Sequence, residues 1–402
     1  MVIQLNIKKQ LRHFYAFEAV ISFRITDVVW VLFLLNRGYS LAQVGIAEGI
    51  FHLTSLICEV PSGMAADVFG RKRTLALSGV AGVISSLFMG FGNRIEFIFL
   101  GMLFSAVAIS MMSGTEEAIL YDSLVETDRE DNYKSARVRM SVIARVCSTA
   151  SCLFSPIAIY MGYQNVYLLS AFLNVLQIYI AMQMEEPVVT EKQRERQKDP
   201  FGQMKERWRE HIHETFSFIK EHPDTMCKLL ANAAIACPCY LTLMYLQEHL
   251  VACGWPEEWI GIPMFVIPMA GTAGAWLASK SRLNLYKAAL ICGIAGGIGA
   301  IFAGSSLIVL AIAGAMTGRM CEGFFEIIVS ERTNQDFHSD QRATMISVDA
   351  MLYSILMIII SPLTGYLGEQ YNIQVLFAVL GGSLIIASAT GLLGYKVVKS
   401  NR

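Results

Sequence analysis

Charge is scarce in this sequence. Of 402 residues only 16% are Asp, Glu, Lys or Arg, against roughly a quarter in soluble domains. That excludes an ordinary water-facing surface over most of the chain. The formal net charge is -1, so there is no single-sign field to attract nucleic acid. No Walker-type phosphate loop is present, which argues against direct ATP coupling. The histidines lack metal-ligand spacing; His211 and His213 lie two apart in a charged stretch. No Ser/His/Asp set or Cys/His pair reads as a hydrolase, so neither an enzyme nor a bound cofactor or metal is expected. The nine cysteines are odd in number and scattered, and most, such as Cys58, Cys147, Cys152 and Cys292, fall in apolar runs. Cys237 and Cys239 form a C-x-C without a second pair. All read as small packed thiols rather than a disulfide framework. No cleavable signal is expected, because the first apolar run, beginning near Phe14, is too long and too polar-spotted. The short alternating segments of a β-barrel are also missing.

What the chain has instead is apolar length. Hydrophobic residues make up 54%, and mean hydropathy is +0.48. A helix needs roughly 20 apolar residues to cross the hydrocarbon core. Runs of that kind lie near 14–36, 41–62, 73–92, 96–123, 136–161, 164–184, 225–250, 256–279, 284–303, 306–330, 341–367 and 373–396. They predict an all-α membrane protein with twelve transmembrane helices. Lys and Arg concentrate in alternate connections, such as Lys8, Lys9, Arg12 and Arg71, Lys72, Arg73, while the opposite connections hold only Arg37 and Arg94. The bias places both termini in the cytoplasm.

Residues 185–222 carry many charges of both signs and divide the runs into two sets of six. The expected organisation is an N-terminal bundle (1–184), a cytoplasmic linker (185–222) and a C-terminal bundle (223–402). In the linker Phe201, Met204, Trp208, Ile212, Phe216 and Ile219 recur at helical spacing, as in a helix lying on the inner membrane surface or packed on loops. The halves echo each other. Ser155-Pro156 to Gly162 and Ser361-Pro362 to Gly368 both read S-P-x-x-x-Y-x-G, and Gly114 with Asp122 matches Gly318 with Glu326. The Gly63–Arg71 interval also recurs as Gly274–Arg282, without the aspartate. Matches in register between halves indicate duplication of a six-helix unit.

The connection between the second and third runs reads GMAADVFGRKRTL, residues 63–75. It resembles the G-x-x-x-D-x-x-G-R-K/R-x signature of the major facilitator superfamily, with Gly63, Asp67, Gly70, Arg71 and Lys72 in the matching places. The resemblance covers nearly the whole chain. "LLNRGYSLAQVGIAEGIFHLTS" and "GTEEAILYDSL" further resemble bacterial members grouped with drug efflux carriers. The implied fold is two pseudo-symmetric six-helix bundles. In the family the 63–75 loop latches the cytoplasmic side: Gly63 allows close helix contact, Gly70 a tight turn, Asp67 faces the start of the eleventh helix near Gln341, and Arg71 bridges to Asp122. The same cations also set topology, which by itself would account for them. One departure concerns the fifth helix, where efflux members carry glycines before Gly-Pro. Here Ser and Ala precede Pro156.

Ionisable groups within the runs need a partner or a wet cavity. Arg24 and Asp27 lie three apart in the first run, near the midplane by helical rise. Glu116 and Glu117 are adjacent and point apart, with Arg145 in the next run able to neutralise either. Arg319, Glu322 and Glu326 descend one face of the tenth, at a depth where Asp349 could meet Arg319. Glu48 and Glu59 mark the two portions of the second. Helices one, four and ten line the cavity in the resembled family. That points to Asp27, Glu116 and Glu322 as proton or substrate groups and to Arg24, Arg145 and Arg319 as their tuners. Glu117 and Asp349 fit as structural partners. Trp30, Tyr240, Tyr245, Phe324 and Tyr353 offer a soft lining for apolar ligands, though helix packing would use the same residues. The expected function is proton-coupled efflux of small amphipathic compounds by alternating access, in the cytoplasmic membrane of a bacterium. Its partners would be a small-molecule substrate, protons and the lipid bilayer, with a monomer sufficing and nucleic acid excluded. A carrier of a small, anionic metabolite is the alternative. A transporter-like sensor or scaffold stands behind both.

Overall fold

The computed structural model describes residues 5–187, 209, 215, 217–336 and 339–400, with side chains throughout these except at 60, 63, 64, 67, 68, 334–343 and 389–400. Among the described residues there are fifteen α-helices and no strand. In the N-terminal half they are α1 (Ile7–Ser22), α2 (Thr26–Asn36), α3 (Leu41–Phe69), α4 (Arg71–Phe91), α5 (Ile95–Met112), α6 (Thr115–Glu126), α7 (Tyr133–Cys152), α8 (Ser155–Met161) and α9 (Tyr163–Gln183). The C-terminal half supplies α10 (Pro223–Ala252), α11 (Gly261–Lys280), α12 (Leu285–Ala303), α13 (Ile308–Asp336), α14 (Ser339–Gln370) and α15 (Ile373–Ser400).

Nine stretches among the described residues are long and apolar enough to cross a membrane. A tenth appears if the pair ending in α7 and α8, bent by 50°, counts as one. Two of the twelve expected runs fall short of that measure. The first is divided between α1 and α2, and the last contributes a shorter apolar stretch, Ile373–Ser388. Most of the proposed linker helix lies outside the described residues. Ile219 alone of its apolar face is helical within them.

The chain forms two compact units. The first comprises Met1–Asp27 and Leu53–Ile212, the second Val28–His52 and His213–Arg402. In the first, Phe14 and Phe17 of α1 pack with Leu75 of α4, Ile119, Leu120 and Leu124 of α6, and Met140 of α7. In the second, Leu229 and Ile235 of α10 pack with Cys292 of α12, Phe325 and Ile328 of α13, Val348 of α14 and Leu384 of α15.

Lipid removes most of the hydrophobic drive between helices, so close backbone approach and hydrogen bonds set their packing. Both units use close glycine approach, as where Gly79, Gly82 and Gly90 of α4 meet α9, and the first adds side-chain hydrogen bonds. Helices α4 and α9 are laced by polar groups: Gln177 donates to Ser78 at 2.9 Å, and the Ser86 and Ser170 hydroxyls lie 3.2 Å apart. Helices α12 and α15 meet at Gly297 and Gly381, where an added methyl would run into the opposite backbone.

Helix ends follow local chemistry. Asn6 caps α1 by accepting from the Lys9 N–H at 3.2 Å. Asn284 caps α12, accepting from the Lys287 N–H at 2.8 Å. Pro156 stands in the first turn of α8, where its missing N–H costs nothing.

Candidate functional site

In the first unit, several of the expected intramembrane charges lie beside helix breaks. Three of the first six apolar runs are interrupted, and each interruption lies beside the side chains in question. Chain α1 stops at Ser22 and α2 resumes at Thr26. Arg24 lies in the gap, its Nε donating to the Ile21 carbonyl at 2.9 Å. Asp27 falls in the first turn of α2, where the helix dipole favours a carboxylate. Their charged atoms are 3.9 Å apart. The pair therefore spans a break, rather than one face of a continuous helix.

The second break separates α5 from α6. Gly114 adopts φ +73°, a region that side chains with a Cβ disfavour. It opens α6 with Glu116 and Glu117 in the first turn. They do point apart. Glu117 forms an ion pair with Arg137 of α7. Glu116 Oε2 is buried without a hydrogen-bond partner. Its charge faces Glu18 first, then Arg137, Glu117 and Arg24. Arg145, expected nearby, is exposed on α7, and among the described residues it makes no ion pair.

Glu18 was not singled out from sequence. It is only 6% exposed on α1. One of its oxygens accepts from Ser22 at 3.1 Å, and the other is buried without a partner. The rule that exposed Glu116, an ionisable residue inside an apolar run, applies to Glu18 equally.

The third break, at Leu153 and Phe154 between α7 and α8, meets the first. The Phe154 ring lies edge-on to Phe23 at 5.3 Å. Beside these breaks a small cleft is lined by Arg24, Met112, Ser170, Asn174 and Gln177, among others. Its polar wall comes from one face of α9, a stripe that sequence reasoning passed over.

In the second unit, Arg319 and Glu322 pair on α13, and Arg319 Nε is buried without a partner. Glu326 is exposed. Asp349 stands in hydrogen-bonding range of Asn232 on α10, with its other oxygen buried and unpartnered; Arg319 is taken by Glu322. Of the aromatic candidates, Tyr245 is fully buried. Its hydroxyl lies where a methyl on Gly45 or Gly365 would go, which is a packing position. Phe324 packs against the second core. Trp30, Tyr240 and Tyr353 are half-buried.

The 63–75 loop is built around Arg71. Its guanidinium pairs with Asp122 of α6 and donates to the Ala118 carbonyl at 2.5 Å. Glu186, just beyond α9, accepts from the backbone N–H groups of Arg71 at 2.7 Å and Lys72 at 2.8 Å. It thereby caps α4. Gly70 turns the chain at φ +87°, and a Cβ there would stand 3.2 Å from the Glu186 carboxylate. Gly63 and Asp67 lie in α3, but their side chains, like that of Gln341, are outside the described residues.

Repeated apolar helices, long enough to span a bilayer and broken beside buried ionisable groups, define the class as a multi-pass membrane protein. The chain belongs to the Major Facilitator Superfamily, whose sequence profile matches residues 14–333, and this is not a family of enzymes. An uncharacterized MFS-type transporter of Bacillus subtilis (strain 168), YxaM, is 31% identical over 106 residues. That match covers 26% of this chain and 27% of YxaM, so the chain spans about a quarter of that relative's length. Among solved structures, the nucleoside transporter NupG superposes with a TM-score of 0.74 at 15% identity, covering 97% of this chain and 99% of its own. A bacterial homolog of the human lysosomal transporter Spinster, inward-facing and unoccupied, gives 0.75 at 15% identity, with 98% of both chains covered. At such identities the likeness is one of fold.

Proposed function

We propose that this transporter is a proton-coupled efflux carrier for small amphipathic compounds, working as a monomer in a bacterial cytoplasmic membrane with both termini inside. The observation that carries this reading is the grouping of buried, unpartnered carboxylate oxygens on Glu18 and Glu116 beside helix breaks. In transporters, discontinuous helices frame substrate and coupling-ion sites, because their ends expose backbone groups where the bilayer otherwise forbids them. Carboxylates that lack hydrogen-bond partners in a low-dielectric site can exist neutral or charged according to their surroundings. A cycle that alternates those surroundings can couple proton entry to substrate exit. In this reading Asp27, Glu116 and Glu322 carry protons or bind substrate, while Arg24 and Arg319 set the local field.

A second reading, a carrier of a small anionic metabolite, is favoured by the cleft beside Arg24 with its wall of Ser170, Asn174 and Gln177. A guanidinium and amides suit a carboxylate or phosphate. The similarity in fold to a nucleoside transporter is compatible with polar cargo.

Transport in proteoliposomes with an imposed pH gradient separates the two. Efflux predicts that tetraphenylphosphonium moves against the proton gradient in wild type. Asp27→Asn and Glu322→Gln should each slow the gradient-driven component at least about tenfold, the loss of a coupling step rather than of a weak contact. Both variants behaving like wild type would refute the site assignment. Movement of an organic anion together with protons would favour the second reading.

A further inference from the structure

The second unit contains a small apolar pocket that the reading above does not use. It lies among α10, α12, α13 and α15. Its floor is Ile235 and Phe325, 3% and 1% exposed, and its walls include the short side chains of Ala231, Ala289 and Ala387. Lys228 and Tyr286 line it toward the starts of α10 and α12, and both are half-buried.

Packing explains why space is left there. Deeper in the unit α12 and α15 touch, and a methyl on Gly293 would run into Ser388. Toward the start of α12 the pocket is walled by Ala289 and Ala387, whose methyls are too short to fill it. The Ser388 hydroxyl in the same wall already donates to the Ile385 carbonyl at 2.8 Å. The inner part therefore asks for no water, and an apolar space of this kind stays dry and accepts an apolar guest.

Charge selects the guest. Among the described residues no carboxylate lines the pocket, while Lys228 brings an ammonium to it. Lys280, Arg282 and Lys287, all exposed, flank the connection that leads into α12. A surface of one sign gathers ions of the other. An ammonium has three donors, so Lys228 can take a carboxylate beside any contact it makes within the protein, and the Tyr286 phenol adds another donor. From Lys228 to Ile235 the helix rises roughly 10 Å. That depth suits one alkyl chain, and the small space does not admit the two chains of a phospholipid.

We propose that this pocket binds a single-chain carboxylate amphiphile, a free fatty acid, with its alkyl chain against Ile235 and Phe325 and its carboxylate at Lys228 and Tyr286. The site goes beyond the transport reading. None of Arg319, Glu322 and Asp349 lines it, and an occupant ties α10, α12 and α15 together without any transport step.

Cys227 lines the same pocket and reports its occupancy. The test alkylates the full-length protein in lipid nanodiscs with N-ethylmaleimide and reads the rate at Cys227 by peptide mass spectrometry. Cys147 of α7, in the first unit, controls for effects on the bilayer. Decanoate should slow labelling of Cys227 and leave Cys147 unchanged. Replacing octanoate by decanoate should lower the free concentration for half protection about fifteenfold, since each buried methylene contributes about fourfold. Lys228→Gln should weaken protection by decanoate about tenfold and leave that by decanol, which has the chain without the charge, as in wild type. Ala289→Leu, which fills the pocket, should abolish both. No protection by decanoate in wild type, or an equal loss for decanoate and decanol in Lys228→Gln, overturns the proposal. So does protection that follows the phosphatidylglycerol content of the nanodisc and ignores decanoate. If Ala289→Leu does not purify, Lys228→Gln decides the matter. Tetraphenylphosphonium transport in the same preparations reads the efflux hypothesis separately. Gradient-driven transport with Cys227 unprotected sinks the fatty-acid site alone, and protection without transport sinks the efflux reading alone.

Discussion

The two halves of this chain share motifs yet build different helices from them. In the first half S-P-x-x-x-Y-x-G begins a new helix: Ser155 and Pro156 open α8 after a break, and Tyr160 is 92% exposed. In the second half the same pattern sits inside the unbroken α14, with Pro362 tolerated mid-helix and Ser361 bonded across to Gly45. The loops differ similarly. Helix α4 is capped by Glu186, which lies 115 residues away in sequence, whereas α12 takes its cap from the neighbouring Asn284. Arg71 pairs with Asp122. Arg282 and Glu326, their counterparts, are both exposed and unpaired with each other among the described residues. The shared pattern thus keeps its register in sequence while the two copies build different local structure. The broken copies lie beside the buried carboxylates Glu18 and Glu116, and the continuous α14 carries the Ser361–Gly45 contact.

That contrast can be broken by substitution, most strongly at the helix breaks. Gly114→Ala forces a Cβ into left-handed backbone with open space around it, so its cost is purely conformational, about 1–2 kcal/mol. Gly382, also in open space but without the positive φ, should accept alanine with a gain of up to about 1 kcal/mol. Denaturant titration of the two variants should show opposite signs; a shared sign would remove the distinction between a broken and a continuous half. The caps come next. Glu186→Ala and Asn284→Ala should each cost about 1 kcal/mol. Glu186→Ala should also expose peptides of α4 and the end of α9 together in hydrogen exchange, while Asn284→Ala acts on α12 alone. Smallest is Ser361→Ala, which deletes one interhelical hydrogen bond worth about 0.6 kcal/mol. Ser155→Ala, measured beside it by thermal melting, tests whether the matching serine does comparable work.

The apolar runs, their order and the loop at 63–75 were readable because length and charge alone specify a membrane span and its flanks. The breaks were not equally readable. Gly114 announces one, since glycine alone adopts its backbone angle cheaply. Phe23, Arg24 and Ile25 have no turn chemistry, and only the buried charge hints that the helix stops there. Pro156 could not decide the third, because Pro362 in the same motif lies within an intact helix. The Arg71–Asp122 bridge followed from the family resemblance. Glu186 did not, because a carboxylate from a distant loop leaves no mark in local pattern. Glu18 was within reach of the rule that found Glu116.

Glu186 has one further consequence. Its grip on α4 is ionic and exposed, and mobile ions attenuate exposed charges over roughly 10 Å at 0.1 M salt. The amide of Asn284 is indifferent to such ions. Raising ionic strength should therefore loosen the start of α4 while leaving that of α12 untouched, so that one half of the carrier responds to the saltiness of its surroundings and the other does not.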